Sequence, residues 1–130
     1  MALCVGLLAN SVRAKPLPLL PVRAPTLPTV TREDVLAITR GEQPAILIDA
    51  RPPVFYRLGH IPGALNLSRK AFEEAYARLK PQLKPGARLI VYCSGNACED
   101  SHAVAAALRE RGHPDVAIYT GGWEEWSENE

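Results

Sequence analysis

From residue 30 onward, continuous apolar runs alternate with stretches whose apolar residues recur at helical spacing. The runs at 45–49 (AILID), 88–92 (RLIVY) and 116–119 (VAIY) lack polar alternation, the pattern of strands buried on both faces. Pro44 and Arg51 bound the first run, and Pro85 with Gly86 makes a turn before the second. Between these two runs, Phe72, Ala75, Tyr76 and Leu79 fall on one helical stripe, with Ser68 as the cap and Pro81 as the stop. A further helix is expected from Asp100 to Arg111, with Val104, Ala107, Leu108 and Arg111 at helical spacing and Gly112 ending it. A short helix through Ile38 precedes all of these. Thr31 and Asp34 read as its capping box, Val30 and Val35 as its hydrophobic staple, and Gly41 as its end. Strands alternating with helices predict an α/β fold, a parallel sheet covered on both faces. Functional groups of such sheets gather beyond the carboxyl ends of the strands. Cys93 falls at one of those ends.

Residues 1–30 follow none of these patterns. An apolar run at 2–9 (ALCVGLLA) precedes Arg13 and Lys15, and Pro16, Pro18, Pro21, Pro25 and Pro28 come next. Proline at that density fixes φ and removes N–H donors, so the stretch reads as an extended, semi-rigid spacer. The expected division is a segment at 1–30 and a globular domain at 31–130. The apolar run falls short of the ~20 residues that span a bilayer. A basic n-region and a small-residue cleavage site are both missing before the spacer, so a secretory leader is not expected. The run reads either as the tail of a membrane anchor or as a loosely packed N-terminus. An anchor followed by Arg13 and Lys15 favours a cytoplasmic domain held at the membrane face.

A chain of 130 residues supports one domain. A formal net charge of +1 gives no global field to attract nucleic acid, and none is expected as a partner. Three cysteines cannot be fully paired within one molecule, and no CxxC pair suggests zinc. Reduced thiols in a cytoplasmic, reducing compartment are the simplest reading. A monomer without a bound metal is expected.

The segment at 91–101 (VYCSGNACEDS) runs from a strand into a helix start. A free thiol ionises near pH 8.5, and backbone N–H groups and a helix N-terminus lower that value by stabilising the thiolate. Ser94, Gly95, Asn96, Ala97, Cys98 and Glu99 form the expected loop around the Cys93 sulfur. Gly95 and Ala97 are small enough to let it curl, and Asn96 tolerates a left-handed backbone. Such a loop can cradle an anion or a terminal sulfur. The alternative is a small buried hydrophobe with no reactivity.

Three segments together resemble the rhodanese (sulfurtransferase) family. These are Ile48-Asp49-Ala50-Arg51 with Tyr56 and Gly59-His60-Ile61-Pro62-Gly63-Ala64, then the Cys93 loop, then Tyr119-Thr120-Gly121-Gly122-Trp123 with Trp126. The resemblance implies a five-stranded, mostly parallel sheet flanked by helices on both faces. It implies a sulfurtransferase in which Cys93 attacks a sulfane sulfur, becomes a persulfide and passes the outer sulfur to an acceptor such as a thiol or cyanide. A small sulfur donor and a thiol acceptor are the implied partners, with no cofactor. Read from the residues themselves, Asp49 and Arg51 would pair past a strand end, and His60 would hydrogen-bond a turn. Gly121 and Gly122 would permit a turn that no side chain allows. Trp123 and Trp126 would pack that turn as plain core.

The sequence departs from the family pattern in two ways. Glu99 and Asp100 follow the loop and no Lys or Arg lies between Cys93 and Arg109, so a persulfide donor is expected to serve better than dianionic thiosulfate. Arg51, Arg57, Arg69 and Lys70 are the cations that could restore positive potential, and Phe55 stands where many members carry a charged residue. Cys98 is the second departure. It reads either as a resolving thiol that closes an intraloop disulfide with Cys93 or as a passive small side chain. A phosphatase or arsenate reductase would need an arginine where Glu99 stands. The other rivals are a dithiol redox protein using Cys93 and Cys98, and a non-enzymatic protein-interaction module.

Overall fold

The three apolar runs become the centre of one parallel sheet. The computed structural model describes residues 26–130, so the apolar run at 2–9 and the prolines up to Pro25 lie outside the described residues. In chain order the elements are β1 (Thr29–Val30), α1 (Arg32–Thr39), β2 (Ile46–Asp49), α2 (Pro53–Leu58), β3 (Leu65–Asn66) and α3 (Phe72–Leu79). A 3-10 turn (Lys80–Gln82), β4 (Leu89–Tyr92), α4 (Asp100–Glu110), β5 (Val116–Tyr119) and α5 (Gly122–Glu128) complete them. The strands lie in the order β1-β5-β4-β2-β3, and each ladder between neighbours is parallel. β4 sits in the middle, with Asp49↔Tyr92 and Tyr92↔Tyr119 in register at its carboxyl end. Among the described residues, no helix is long and apolar enough to cross a membrane.

The two-residue period of the strands splits the core in two. Leu89 and Val91, with Ile48, Val116 and Ile118, face the α3 stripe of Phe72, Ala75, Tyr76 and Leu79 and the α4 residues Val104, Ala105 and Leu108. Ile90 and Tyr92, with Leu47, Ala117 and Tyr119, face Val35 of α1, Ile61 and Trp126 of α5, and Tyr56 and Trp123 pack against the same cluster. The chain leaving β4 therefore passes to the α3/α4 face, while the chains leaving β2 and β5 turn to the opposite face. Diverging connections of this kind open a crevice at the strand ends. Cys93 lies at that point.

Local chemistry explains most element ends. Thr31 accepts from the Asp34 amide at 3.3 Å, and Asp34 accepts from the Thr31 amide at 2.9 Å, the expected capping box. Hydrogen bonds from Thr31 hold the Asp34 carboxyl below its ordinary range. Ser68 accepts from the Ala71 amide at 3.3 Å, ahead of α3, but does not cap the helix itself. The buried face of α4 is Ser101, Val104, Ala105 and Leu108, whereas Ala107 is half-buried and Arg111 is exposed. Arg111 instead lies over the rings of Phe72 and Tyr76 and pairs with Glu73. The sheet starts at Thr29, within the stretch read as spacer.

Candidate active site

A buried ion pair fixes the floor of the crevice. Asp49 ends β2 and is fully buried, and Arg51 is 5% exposed. Arg51 Nη2 donates to Asp49 Oδ2 at 2.7 Å and Nε to Oδ1 at 3.1 Å, while the Arg51 amide donates to Oδ1 at 2.9 Å. Tyr92 Oη donates to Asp49 Oδ2 at 2.8 Å and accepts from the Ile61 amide at 3.1 Å. Burial and the Asp49 charge push the Tyr92 phenol far up, so it remains a neutral donor. Every oxygen of this carboxylate is thus matched, the condition under which a buried charge pair is tolerated. Arg51 Nη2 also donates to the Gly59 carbonyl at 2.6 Å, and its guanidinium lies 5.0 Å from the Trp123 ring centre. The expected Asp49–Arg51 pairing is observed, and it ties the start of α2 to its end.

Cys93 follows β4 directly and is 4% exposed. Two bonds from the start of α5 hold its loop: the Trp123 amide donates to the Cys93 carbonyl at 2.9 Å and the Glu124 amide to the Ser94 carbonyl at 2.8 Å. Gly122 allows this approach. Its φ is +60°, and a Cβ there would stand 2.5 Å from the Cys93 carbonyl oxygen. Among the described residues, no protein group accepts from the amides of Ser94, Gly95, Asn96 or Ala97, and Glu99 makes no side-chain cap for α4. These donors, and those of the first turn of α4, have no protein acceptor among those residues and belong to the loop that carries the sulfur.

The Cys98 amide donates to the Gly95 carbonyl at 3.1 Å, turning the loop back on itself. The Cys93 and Cys98 Cα atoms are 6.2 Å apart and their sulfurs are joined as a disulfide. Reduced thiols, the simplest reading of the sequence, are therefore not the state seen for this pair. An oxygen of Asp100 and the two sulfurs lie within 4.8 Å of one another. With the sulfurs bonded together they offer no thiolate to a metal ion.

The crevice is a cleft of about 430 Å³ with Cys93, Ser94 and Cys98 at its base. Its walls are Arg51, Pro52, Phe55, Leu58, Gly59, Trp123, Asp100 and Glu124. Phe55 is 50% and Leu58 82% exposed, so one wall is an apolar rim open to solvent. Asp100 and Glu124 make another part of the lining acidic. Arg69 reaches Asp100 at 3.4 Å, but the pair is exposed and weakly coupled. Arg51 is the cation in the lining, and its charge is already matched by Asp49. Lys70 lines a neighbouring hollow with Arg69 and Pro53, and Arg57 is outside the cleft lining.

Of the residues singled out from the sequence, Cys93, Ser94, Cys98 and Arg51 come together at the cleft, with Asp49 beneath. Gly95 packs against the Glu124 carboxylate. Asn96 lies on the far side of the loop beside Tyr119, Thr120 and Gly121. No non-glycine residue among those described has a positive φ, so Asn96 does not use the left-handed conformation. Ala97 and Glu99 are exposed outside the lining. His60 is likewise outside the lining. Its Nδ1 bonds the Tyr56 carbonyl at 2.7 Å and its ring stacks on Tyr56 at 3.7 Å, the turn-binding role expected of it. Trp126 is core, but Trp123 is half-buried and forms a cleft wall rather than plain core.

Sequence reasoning missed Tyr92, Leu58 and Glu124. Tyr92 reads as one more apolar strand residue, although its two-residue phase places it on the Asp49 side. Leu58 belongs to an exposed helix face that periodicity marks as unremarkable. Glu124 depends on a helix, α5, that two leading glycines conceal.

A family model described as rhodanese-like domain matches residues 31–129. Thiosulfate sulfurtransferase GlpE of Pseudomonas syringae is 35% identical over 86 residues, covering 65% of this chain and 74% of that protein. A rhodanese domain-containing protein of Drosophila melanogaster is 35% identical over 74 residues, covering 56% of this chain; the chain spans 62% of that relative's length. Among solved structures, a human single-domain sulfurtransferase superposes with a TM-score of 0.59 at 27% identity, covering 81% of this chain and 99% of that one. By fold, by motif and by sequence, the chain belongs to the rhodanese-like family.

Proposed function

We propose that this protein is a sulfurtransferase that moves a sulfane sulfur through a persulfide on reduced Cys93. The observation that carries the reading is the placement of Cys93 in the cleft lining, on a loop of unclaimed amides that leads into the uncapped N-terminus of α4. Cys93 attacks the sulfane sulfur of the donor, the donor's thiol or sulfite leaves, and Cys93–S–SH forms. A nucleophilic acceptor then takes the outer sulfur and restores the thiolate. One transfer is thereby split into two easier displacements. The loop amides stabilise the thiolate and the persulfide anion in turn. Sulfurtransferase names among the relatives support the reaction class.

The cleft favours a persulfide attached to an organic body over thiosulfate. Asp100 and Glu124 oppose thiosulfate, which must bring its concentrated charge beside the sulfane sulfur, and Phe55, Leu58 and Trp123 offer apolar contact to a carbon skeleton whose charges lie further off. Steady-state transfer from glutathione persulfide and from thiosulfate tests this on reduced protein. The expected kcat/KM ratio favours the persulfide by at least about tenfold, the factor given by 1.4 kcal/mol, and Cys93→Ser abolishes both reactions. A strong thiosulfate preference would overturn the donor assignment. Turnover that survives Cys93→Ser would overturn the mechanism.

A further inference from the structure

We propose that Cys98 is a second catalytic thiol, one that reduces the Cys93 persulfide internally and releases its outer sulfur as hydrogen sulfide. This rests on the persulfide reading and adds a second outcome to it. Four observations converge on Cys98. The two sulfurs are bonded, so the loop accommodates the closed product without further folding. The turn that donates the Cys98 amide to Gly95 holds this residue toward Cys93, at a Cα separation of 6.2 Å that suits a disulfide. Cys98 is half-buried and lines the same cleft as Cys93, within reach of a sulfur carried there. It directly precedes Glu99, the uncapped N-cap of the eleven-residue helix α4, where orphan amides favour a thiolate.

The chemistry balances within the loop. The Cys98 thiolate attacks the Cys93 sulfur of Cys93–S–SH, the Cys93–Cys98 bond forms, the outer S–S bond breaks, and HS⁻ leaves with the electron pair. The two cysteine sulfurs are oxidised and the sulfane sulfur is reduced to sulfide. A dithiol reductant resets the loop before the next cycle. Hydrosulfide departs from a cleft walled by Asp100 and Glu124, whose charges oppose its retention. With an external acceptor present the persulfide is discharged by transfer; without one it is discharged by Cys98.

The test is a single turnover in a Cys4→Ser background, which removes the remaining thiol. Reduced protein receives one equivalent of glutathione persulfide, and no other thiol is added. Intact mass and free sulfide are followed together. The expected result is about one sulfide per protein and a final mass about 2 Da below the reduced form, both cysteines residing in one disulfide. Cys98→Ala should stop at a gain of about 32 Da with less than about a tenth of the sulfide. Cys93→Ala should give neither signal. Wild-type protein that holds the added sulfur and releases no sulfide would overturn the role of Cys98 and leave the transferase reading standing. Cys98→Ala protein that carries a glutathione adduct, or that shows no gain of about 32 Da even with donor in excess over the glutathione released, would overturn the persulfide reading itself and the proposal with it.

Discussion

Gly122 is where backbone geometry and chemistry meet most closely, and replacing it with alanine separates two costs. Its φ of +60° demands the left-handed region, which costs an L-residue about 1–2 kcal/mol. A methyl group at Gly122 would also lie 2.5 Å from the Cys93 carbonyl oxygen, 2.9 Å from the Ser94 carbonyl carbon and 3.0 Å from the Gly95 nitrogen. All three are backbone atoms, so no side chain can swing aside; the loop itself must retreat from α5. Retreat lengthens the 2.9 Å and 2.8 Å bonds from Trp123 and Glu124 that anchor the loop, each contributing about 1 kcal/mol. Alanine recovers about 0.4–1 kcal/mol by restricting the unfolded chain. The expected net destabilisation is about 2–3.5 kcal/mol, the strain and the two bonds less that gain. Gly112 supplies the control, because its φ is +92° and a Cβ there meets nothing within 4 Å. Gly112→Ala should therefore cost only about 1 kcal/mol, strain less the same gain. Urea unfolding of both variants gives the comparison, and alkylation of reduced Cys93 at about pH 6 reports the cradle. Gly122→Ala should slow that alkylation by about tenfold while Gly112→Ala leaves it unchanged. Equal destabilisation of the two variants would refute the steric argument.

Two further outcomes follow from buried charge. Asp49→Ala strands the Arg51 guanidinium at 5% exposure and removes the acceptor of Tyr92, so a loss of about 3–5 kcal/mol is expected in urea unfolding; a loss below about 1 kcal/mol would mean that water reaches Arg51. His113 is buried, with Nε2 bonded to Tyr76 Oη at 2.8 Å and Nδ1 without a partner, and burial followed by the Lys80 charge lowers its pKa. The folded state then binds that proton less well than the unfolded chain, so stability is full above about pH 6.5 and falls as the pH drops below it. Denaturation midpoints between about pH 7 and about pH 5.5 should show this slope in the wild type and a shallower one in His113→Gln. Identical slopes would remove His113 as the source.

Much of the fold can be read from the chain because its central strands are continuous apolar runs. β4 and β5 are apolar but for the tyrosine hydroxyls at their ends, and the α3 stripe keeps strict helical spacing. β1 and β3 are two residues long, too short to display a period. Their pairing is decided by the neighbouring strand rather than by their own composition. α5 starts with Gly122 and is hidden by poor helix propensity, although Trp123 and Trp126 stand one turn apart. At the site, Cys93 is legible because small and polar residues follow a buried strand. The acidic wall is half legible, since Asp100 adjoins the loop in sequence while Glu124 reaches it only through the fold. The disulfide appears in the sequence as a spacing alone, and the turn at Gly95 makes that spacing close.

The two bonds from α5 to the Cys93 loop carry a consequence for the order in which the protein acquires its chemistry. α5 is the last element of the domain in chain order, while the thiol it braces lies some thirty residues earlier. On a ribosome the cysteine is therefore synthesised, and exposed to oxidants, before the helix that shapes its surroundings exists. Until Gly122 docks against the Cys93 carbonyl, the residue lacks the packing and the two anchoring bonds that α5 gives its loop. Docking of α5 and completion of the surroundings of Cys93 are one event.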